Sequence, residues 1–148
     1  MYGSATIATL QANEIEPVPG KIQPLAGCRV LLIEDEYFIA DDMRDALEGA
    51  GARVIGPIAT LSEALHQVAE DGFDLAIVDI NLRDEMSYSV ADALKAEKLP
   101  FLFATGYEAN VIPERFAGTV RCEKPYVLSD VLMSLKRLIT PPSASRPV

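Results

Sequence analysis

Residues 30–36, Val30-Leu31-Leu32-Ile33-Glu34-Asp35-Glu36, pass from four consecutive aliphatic side chains to three carboxylates without a spacer. A strand with one wet face alternates apolar and polar residues, so an unbroken apolar run predicts a strand covered on both faces. The acidic triplet then marks the end of that strand and the start of a helix, where negative charge suits the helix dipole. The same succession recurs downstream. Leu75-Ala76-Ile77-Val78 runs into Asp79-Ile80-Asn81, and Phe101-Leu102-Phe103-Ala104 runs into Thr105-Gly106. Arg53-Val54-Ile55 and the weaker Thr119-Val120-Arg121-Cys122, which leads to Lys124-Pro125, complete a set of five.

The intervening segments carry helical spacing. Ile39, Met43, Ala46, Leu47 and Ala50 form one stripe, and Leu61, Ala64, Leu65, Val68 and Ala69 a second, opened by a capping box of Thr60 and Glu63. Leu128, Val131, Leu132, Leu135 and Leu138 give the clearest stripe; a further helix is predicted over Ser87–Lys98, and residues 107–117, interrupted by Pro113, give a poor one. Strand and helix alternating five times predict an α/β architecture, a doubly wound five-stranded parallel sheet with right-handed crossovers. In such sheets, sites form beyond the carboxyl ends of the strands.

The bulk properties narrow the function. At 148 residues one core is expected, with no need of a disulfide or metal staple. The net charge of −9 disfavours direct contact with nucleic acid. Cys28 and Cys122 lie far apart in sequence, outside any metal-ligand spacing, and read as small buried hydrophobes. No apolar run approaches the roughly 18 residues that span a bilayer, and the N-terminus lacks a secretory pattern, so no membrane association is expected and the cytoplasm is the expected compartment. Residues 1–26, with three prolines, read as a flexible arm, 27–139 as the folded domain and 140–148 as a flexible tail. So short a tail leaves no room for an output module, which predicts a stand-alone domain.

Glu34-Asp35-Glu36, Asp79, Thr105 and Lys124 therefore meet at one rim of the predicted sheet. Individually each has an ordinary reading: a solvated helix start, a turn cap, a turn and a surface charge. Their coincidence at one edge carries the argument. Clustered carboxylates repel one another unless compensated, and a hard cation such as Mg²⁺, which takes oxygen ligands, is the natural compensator. No GxxxxGK[ST] phosphate loop occurs. His66, the single histidine, lies in the second helical pattern and reads as solvent-facing. Ser87 and Ser89 have no hydrolase signature around them.

Four segments together, L-L-I-E-D-E, I-V-D-I-N-L, F-A-T-G-Y and C-E-K-P, resemble the receiver domain of two-component response regulators over roughly residues 27–139. The resemblance implies a flavodoxin-like (βα)5 fold with strand order 2-1-3-4-5. It implies that Asp79 accepts a phosphoryl group from a histidine kinase or histidine phosphotransfer protein, and that the domain catalyses only its own phosphorylation and dephosphorylation. Asp35 and Asp79 would ligate Mg²⁺ with the backbone carbonyl of Asn81, Glu34 acting through a water or in support. Thr105 and Lys124 would bind phosphoryl oxygens, and Lys124–Pro125 would be cis. Phosphorylation-dependent protein contact, including a possible homodimer, would be the output.

Three departures accompany the resemblance. The segment Leu82–Ser89 has neither the proline nor the glycine usual after the phosphoacceptor, so the site floor is expected to differ. Arg121 stands where receivers commonly place a switching aromatic. Tyr107, directly after Thr105-Gly106, resembles a subgroup with a Phe-Ala-Thr-Gly-aromatic motif, in which that aromatic would take over switching; the alternative is a rim packing residue. Two competing functions remain: a receiver-fold binding module that takes no phosphate, and a haloacid-dehalogenase-type phosphatase. The latter wants an acid two positions after its nucleophile, where Asn81 stands.

Overall fold

The computed structural model describes residues 23–106 and 112–139. The elements, in chain order, are β1 (Arg29–Ile33), α1 (Tyr37–Gly49), β2 (Arg53–Ile58), α2 (Leu61–Glu70), β3 (Leu75–Asp79), β4 (Asn81–Leu82), β5 (Glu85–Met86), α3 (Tyr88–Ala96), β6 (Phe101–Thr105), a 3₁₀ turn (Glu114–Phe116), β7 (Arg121–Glu123) and α4 (Leu128–Ile139). Five strands form one parallel sheet in the order β2-β1-β3-β6-β7, the predicted 2-1-3-4-5 arrangement counted over the strands of that sheet.

The two faces of the sheet are covered by different helices, and the strand period of two explains which side chain goes where. Leu31, Ile33, Ala76, Val78 and Phe103 pack with Ala64 and Val68 of α2 and Val90, Ala91 and Leu94 of α3. Their neighbours Val30, Leu32, Leu75, Ile77 and Leu102 pack on the other face with Met43 and Leu47 of α1 and Val131 and Leu135 of α4. Every residue of β3 is buried, which is why that strand reads as a continuous apolar run. Thr60 caps α2 as expected: the Glu63 backbone N–H donates to Thr60 Oγ1 at 3.3 Å, and the Glu63 carboxylate accepts the Thr60 hydroxyl at 3.2 Å.

Several local expectations are corrected. Leu25, assigned to the arm, is fully buried, and its N–H donates to the Ala50 carbonyl at 2.9 Å, so the packed domain extends back past residue 27. The rest of the arm before residue 23, the tail at 140–148 and Tyr107 lie outside the described residues. Of the weak helix expected at 107–117, residues 112–117 are described and carry only a 3₁₀ turn, because Pro113 has no N–H to continue an α-helix. The last strand is shifted to Arg121–Glu123. Leu65 and Ala69, counted in the second stripe, are exposed.

One irregularity sets the rim of the sheet. The pairing of β1 with β2 steps from Leu31–Ile55 to Ile33–Ile58, so β2 carries one extra residue. Gly56 sits there at φ +114°, and a side chain on it would come within 2.5 Å of the Leu32 carbonyl. The bulge lets the Ile58 carbonyl accept the Glu34 N–H at 2.9 Å, extending the ladder to the first carboxylate of the rim.

Candidate functional site

β1, β3, β6 and β7 all end on this rim, and each delivers one element of the site. Glu34 and Asp35 follow β1, Asp79 closes β3, Thr105 closes β6, and Lys124 follows β7. Glu34, Asp79 and Thr105 are buried, with at most 4% of their surface exposed. Carboxylate oxygens of Glu34, Asp35 and Asp79 lie within 4.8 Å of one another. Asp35, Asp79, Asn81, Thr105 and Lys124 line a cleft of about 340 Å³. A larger open hollow of about 500 Å³ beside Pro57 and His66 holds no such cluster.

The Lys124 ammonium is the hub. Its Nζ donates to Glu36 Oε1 at 2.7 Å, Asp79 Oδ2 at 3.1 Å and Glu34 Oε2 at 3.2 Å. Glu34 is held from both sides, since Oε1 accepts the Tyr126 hydroxyl at 3.3 Å and Oε2 accepts the Glu36 N–H at 3.1 Å. Asp79 Oδ1 accepts the Asn81 N–H at 3.3 Å. The Lys124–Pro125 peptide is cis, as is Gly56–Pro57.

One ammonium cannot balance these carboxylates, and the imbalance falls on Asp79. Burial, followed by the hydrogen bond and charge of Glu34, raises its carboxyl to about 8 against the pull of Lys124. Burial alone would lower Lys124, but its bond to Glu36 and the charges of Asp79 and Glu34 outweigh this and raise it. Burial, then the negative field of Glu34 and Asp79, raises the Tyr126 phenol.

The segment after Asp79 is where the floor differs. Asn81–Leu82 and Glu85–Met86 pair as a short antiparallel hairpin, β4–β5. Its two turn residues, Arg83 and Asp84, have φ of +49° and +70°, conformations that Gly, Asn and Asp take readily and Arg rarely. One long-range and one local hydrogen bond sustain them: Arg83 N–H donates to Asp35 Oδ2 at 2.8 Å, and Asp84 N–H to Asn81 Oδ1 at 2.9 Å. The hairpin is thereby tied to a carboxylate of the metal-competent cluster. Ser87, fully buried, anchors the far end by donating to the Asp79 backbone carbonyl at 2.6 Å.

Residues 30–118 match the response regulator receiver domain family, more than half of the chain. The chain belongs to that family. This receiver is 37% identical over 103 residues to the phyllosphere-induced regulator PhyR of Methylorubrum extorquens, an alignment that takes in 68% of this chain and 37% of PhyR. It therefore spans little more than a third of that relative. The solution structure of SdrG from Sphingomonas melonis superposes with a TM-score of 0.68 at 37% identity, covering 78% of this chain and 97% of SdrG. A crystal structure of a variant of the anti-anti-sigma factor PhyR from Bartonella quintana superposes at 0.66 and 26% identity, covering 78% of this chain and 50% of that one.

The receiver's rim thus brings together Glu34, Asp35, Asp79, Asn81, Thr105 and Lys124, the residues the sequence pointed to. Arg121, on β7, is half-buried and offers no aromatic ring. His66 is exposed, 3.5 Å from Glu70 on its own helix. Cys28 is buried, Cys122 half-buried, and both are free thiols. Sequence reasoning placed Glu36 at the rim but gave it no role, named Ser87 only to set aside a hydrolase, and left out Tyr126 and the Arg83 backbone. Tyr126, two residues past Lys124 in the C-E-K-P-Y run, was the one with a local signal.

Proposed function

We propose that this receiver accepts a phosphoryl group on Asp79 from a histidine kinase or histidine phosphotransfer protein, with Mg²⁺ in the acidic pocket, and signals by phosphorylation-dependent contact with another protein. The observation that carries the reading is the convergence of Asp79, its two acidic neighbours and the Lys124 ammonium in one cleft.

The donor set fits the cation: hard carboxylate oxygens, with room left for water. Asp35 and Asp79 would hold it with the Asn81 carbonyl, and Glu34, locked by Tyr126 and Lys124, would act through a water. Bound there, Mg²⁺ supplies neutralisation of the phosphoryl oxygens. The remaining work belongs to the chain. An Asp79 oxygen forms the new P–O bond as the donor's P–N bond breaks, and the electron pair leaves on the imidazole nitrogen. The proton that burial and Glu34 hold on Asp79 must depart first, which couples the nucleophile to cation binding. Lys124 and the Thr105 hydroxyl neutralise and orient the transferred oxygens. The domain turns over nothing but its own phosphoryl group.

Thr105 closes β6, so a shift of its hydroxyl toward the phosphoryl group moves the chain that follows. Tyr107 follows in sequence and, with no aromatic at Arg121, is the residue proposed to take over switching, as the Phe-Ala-Thr-Gly-aromatic resemblance implies. Exposed Tyr37 and Phe38, at the start of α1 beside the acidic residues, offer an apolar landing for a donor protein. The likeness to PhyR, which the Bartonella quintana structure describes as an anti-anti-sigma factor, supports an output through a regulatory protein rather than through DNA. No described helix is long and apolar enough to cross a membrane.

Acetyl phosphate with Mg²⁺, read by intact mass, tests the reading. A gain of one phosphoryl group, lost in Asp79→Asn and in EDTA, is the expected result. An unlabelled wild type would leave the binding-module reading in place, and continuous turnover of a phosphate ester would replace it with an enzyme.

A further inference from the structure

Lys124 has three N–H donors, and all three are engaged by carboxylates. A phosphoryl oxygen reaching this ammonium meets three anionic competitors, and their mobility differs. The Glu34 side chain is 2% exposed and is fixed by the Tyr126 hydroxyl and the Glu36 N–H. Asp79, at 6%, is the group being modified. The Glu36 side chain makes the shortest of the three contacts, 2.7 Å, and is 58% exposed. It stands at the N-cap of α1 yet makes no side-chain cap bond there. Its carboxylate reaches instead to a lysine 88 positions away.

We infer that Glu36 is a positioning residue that holds Lys124 as an internal stand-in for the phosphoryl group, and that it must swing into solvent when the real anion arrives. This rests on the phosphoacceptor reading of Asp79 and deepens it. Glu36 lowers the affinity of the activated state in two ways: it occupies a donor that a phosphoryl oxygen would use, and its charge repels that oxygen. It also keeps the ammonium over Asp79 in the resting state. The exchange is cheap in one direction only, because Glu36 alone of the three partners has water to receive it.

The test is titration with beryllofluoride, a phosphoryl mimic on carboxylates, in saturating Mg²⁺, followed by backbone amide shifts. Glu36→Gln keeps the size and removes the charge. It is expected to bind about fivefold more tightly than wild type, the scale of one half-exposed charge contact. The advantage is expected to shrink as salt rises from about 0.05 to about 0.5 M, where the Debye length falls from roughly 14 to roughly 4 Å. Glu48→Gln, an exposed position of α1 outside the cleft, controls for net charge and is expected to match wild type. Equal or weaker binding by Glu36→Gln would overturn the inference, as would an equal gain from Glu48→Gln. Binding by neither wild type nor variant while Mg²⁺ still shifts the rim amides would sink the phosphoacceptor reading, and this inference with it.

Discussion

Replacing Asp79 by Asn removes one carboxylate from a cleft that holds too many, and the structure gives the sign of the effect on stability. In the unfolded chain the carboxyl ionises at its ordinary 3.8; in the fold, burial and Glu34 hold its proton to about 8. Between those values the folded state binds the extra proton, so stability falls as pH rises from 3.8 and levels off above about 8. Asn carries no such charge and escapes the loss. Each tenfold change in proton affinity is worth about 1.4 kcal/mol, which caps the gain at roughly 6 kcal/mol. Lys124 still partners Glu34 and Glu36 in the variant, while the wild-type site relaxes around the shared proton, so a realised gain of about 2 kcal/mol is expected.

Thermal unfolding in EDTA at pH 8 reads this directly. For a domain of this size, about 2 kcal/mol is roughly 10 °C in Tm. The gap is expected to close as pH falls toward 4, where both proteins carry a neutral group at position 79. Mg²⁺ at pH 8 is expected to narrow it from the other side by stabilising the wild type alone. An Asn variant melting at or below wild type in EDTA at pH 8, or a gap indifferent to pH, would refute the electrostatic account of the cleft.

Ser87→Ala strips the hydroxyl bond that Ser87 gives the buried Asp79 carbonyl and is expected to cost about 1–2 kcal/mol, read as a drop in urea midpoint without change of slope. Gly56→Ala puts a methyl 2.5 Å from the Leu32 carbonyl at φ +114°; a loss on the order of 2–4 kcal/mol by the same assay is expected. Asp74→Asn is the contrasting case. Hydrogen bonds from the Arg29 side chain and backbone hold that carboxyl below its ordinary value, so its contribution is present at neutral pH and lost as pH falls through the folded value. The pair is exposed, and a Tm change at pH 7 of about 2 °C or less is expected.

The sheet was legible because its information is local. A parallel strand buried on both faces has to be apolar throughout, and 30–33, 75–78 and 101–104 announce themselves without knowledge of their neighbours. The primary site residues were legible for a derived reason: a doubly wound sheet brings strand ends together, so Asp35, Asp79, Thr105 and Lys124 could be placed from topology before any distance was known. What failed to show was whatever depends on a partner far along the chain. The Arg83-Asp84 turn lacks the Gly or Asn that usually announces one, and Arg83 is an unfavoured residue at positive φ; Asp35, 48 positions earlier, accepts the Arg83 N–H. The Leu65 stripe position looked apolar enough to bury, yet α2 packs through Ala64 and Val68. Leu25 lies among prolines and glycines that signal a loop, and only the α1 carbonyl above it reveals that it is anchored.

The site itself argues for a design in which binding, not stability, chose the residues. A cleft optimised for the resting fold would match its one ammonium with one carboxylate, or replace the pair with packed hydrocarbon, which is often neutral or favourable. Here Glu34 and Asp79 are buried side by side, a third carboxylate completes the cluster, and a fourth leans on the same lysine from solvent. On the proposed reading, a divalent cation entering there would offset that repulsion, and Asp79 could then give up its proton and serve as the nucleophile. The same logic ranks the four acids. Those locked by the fold, Glu34 and Asp79, are fixed in place, whereas the exposed Glu36 is the one whose position can differ between resting and activated states. That division leaves the cleft one mobile anion, Glu36, which the proposed phosphoryl group would displace from Lys124.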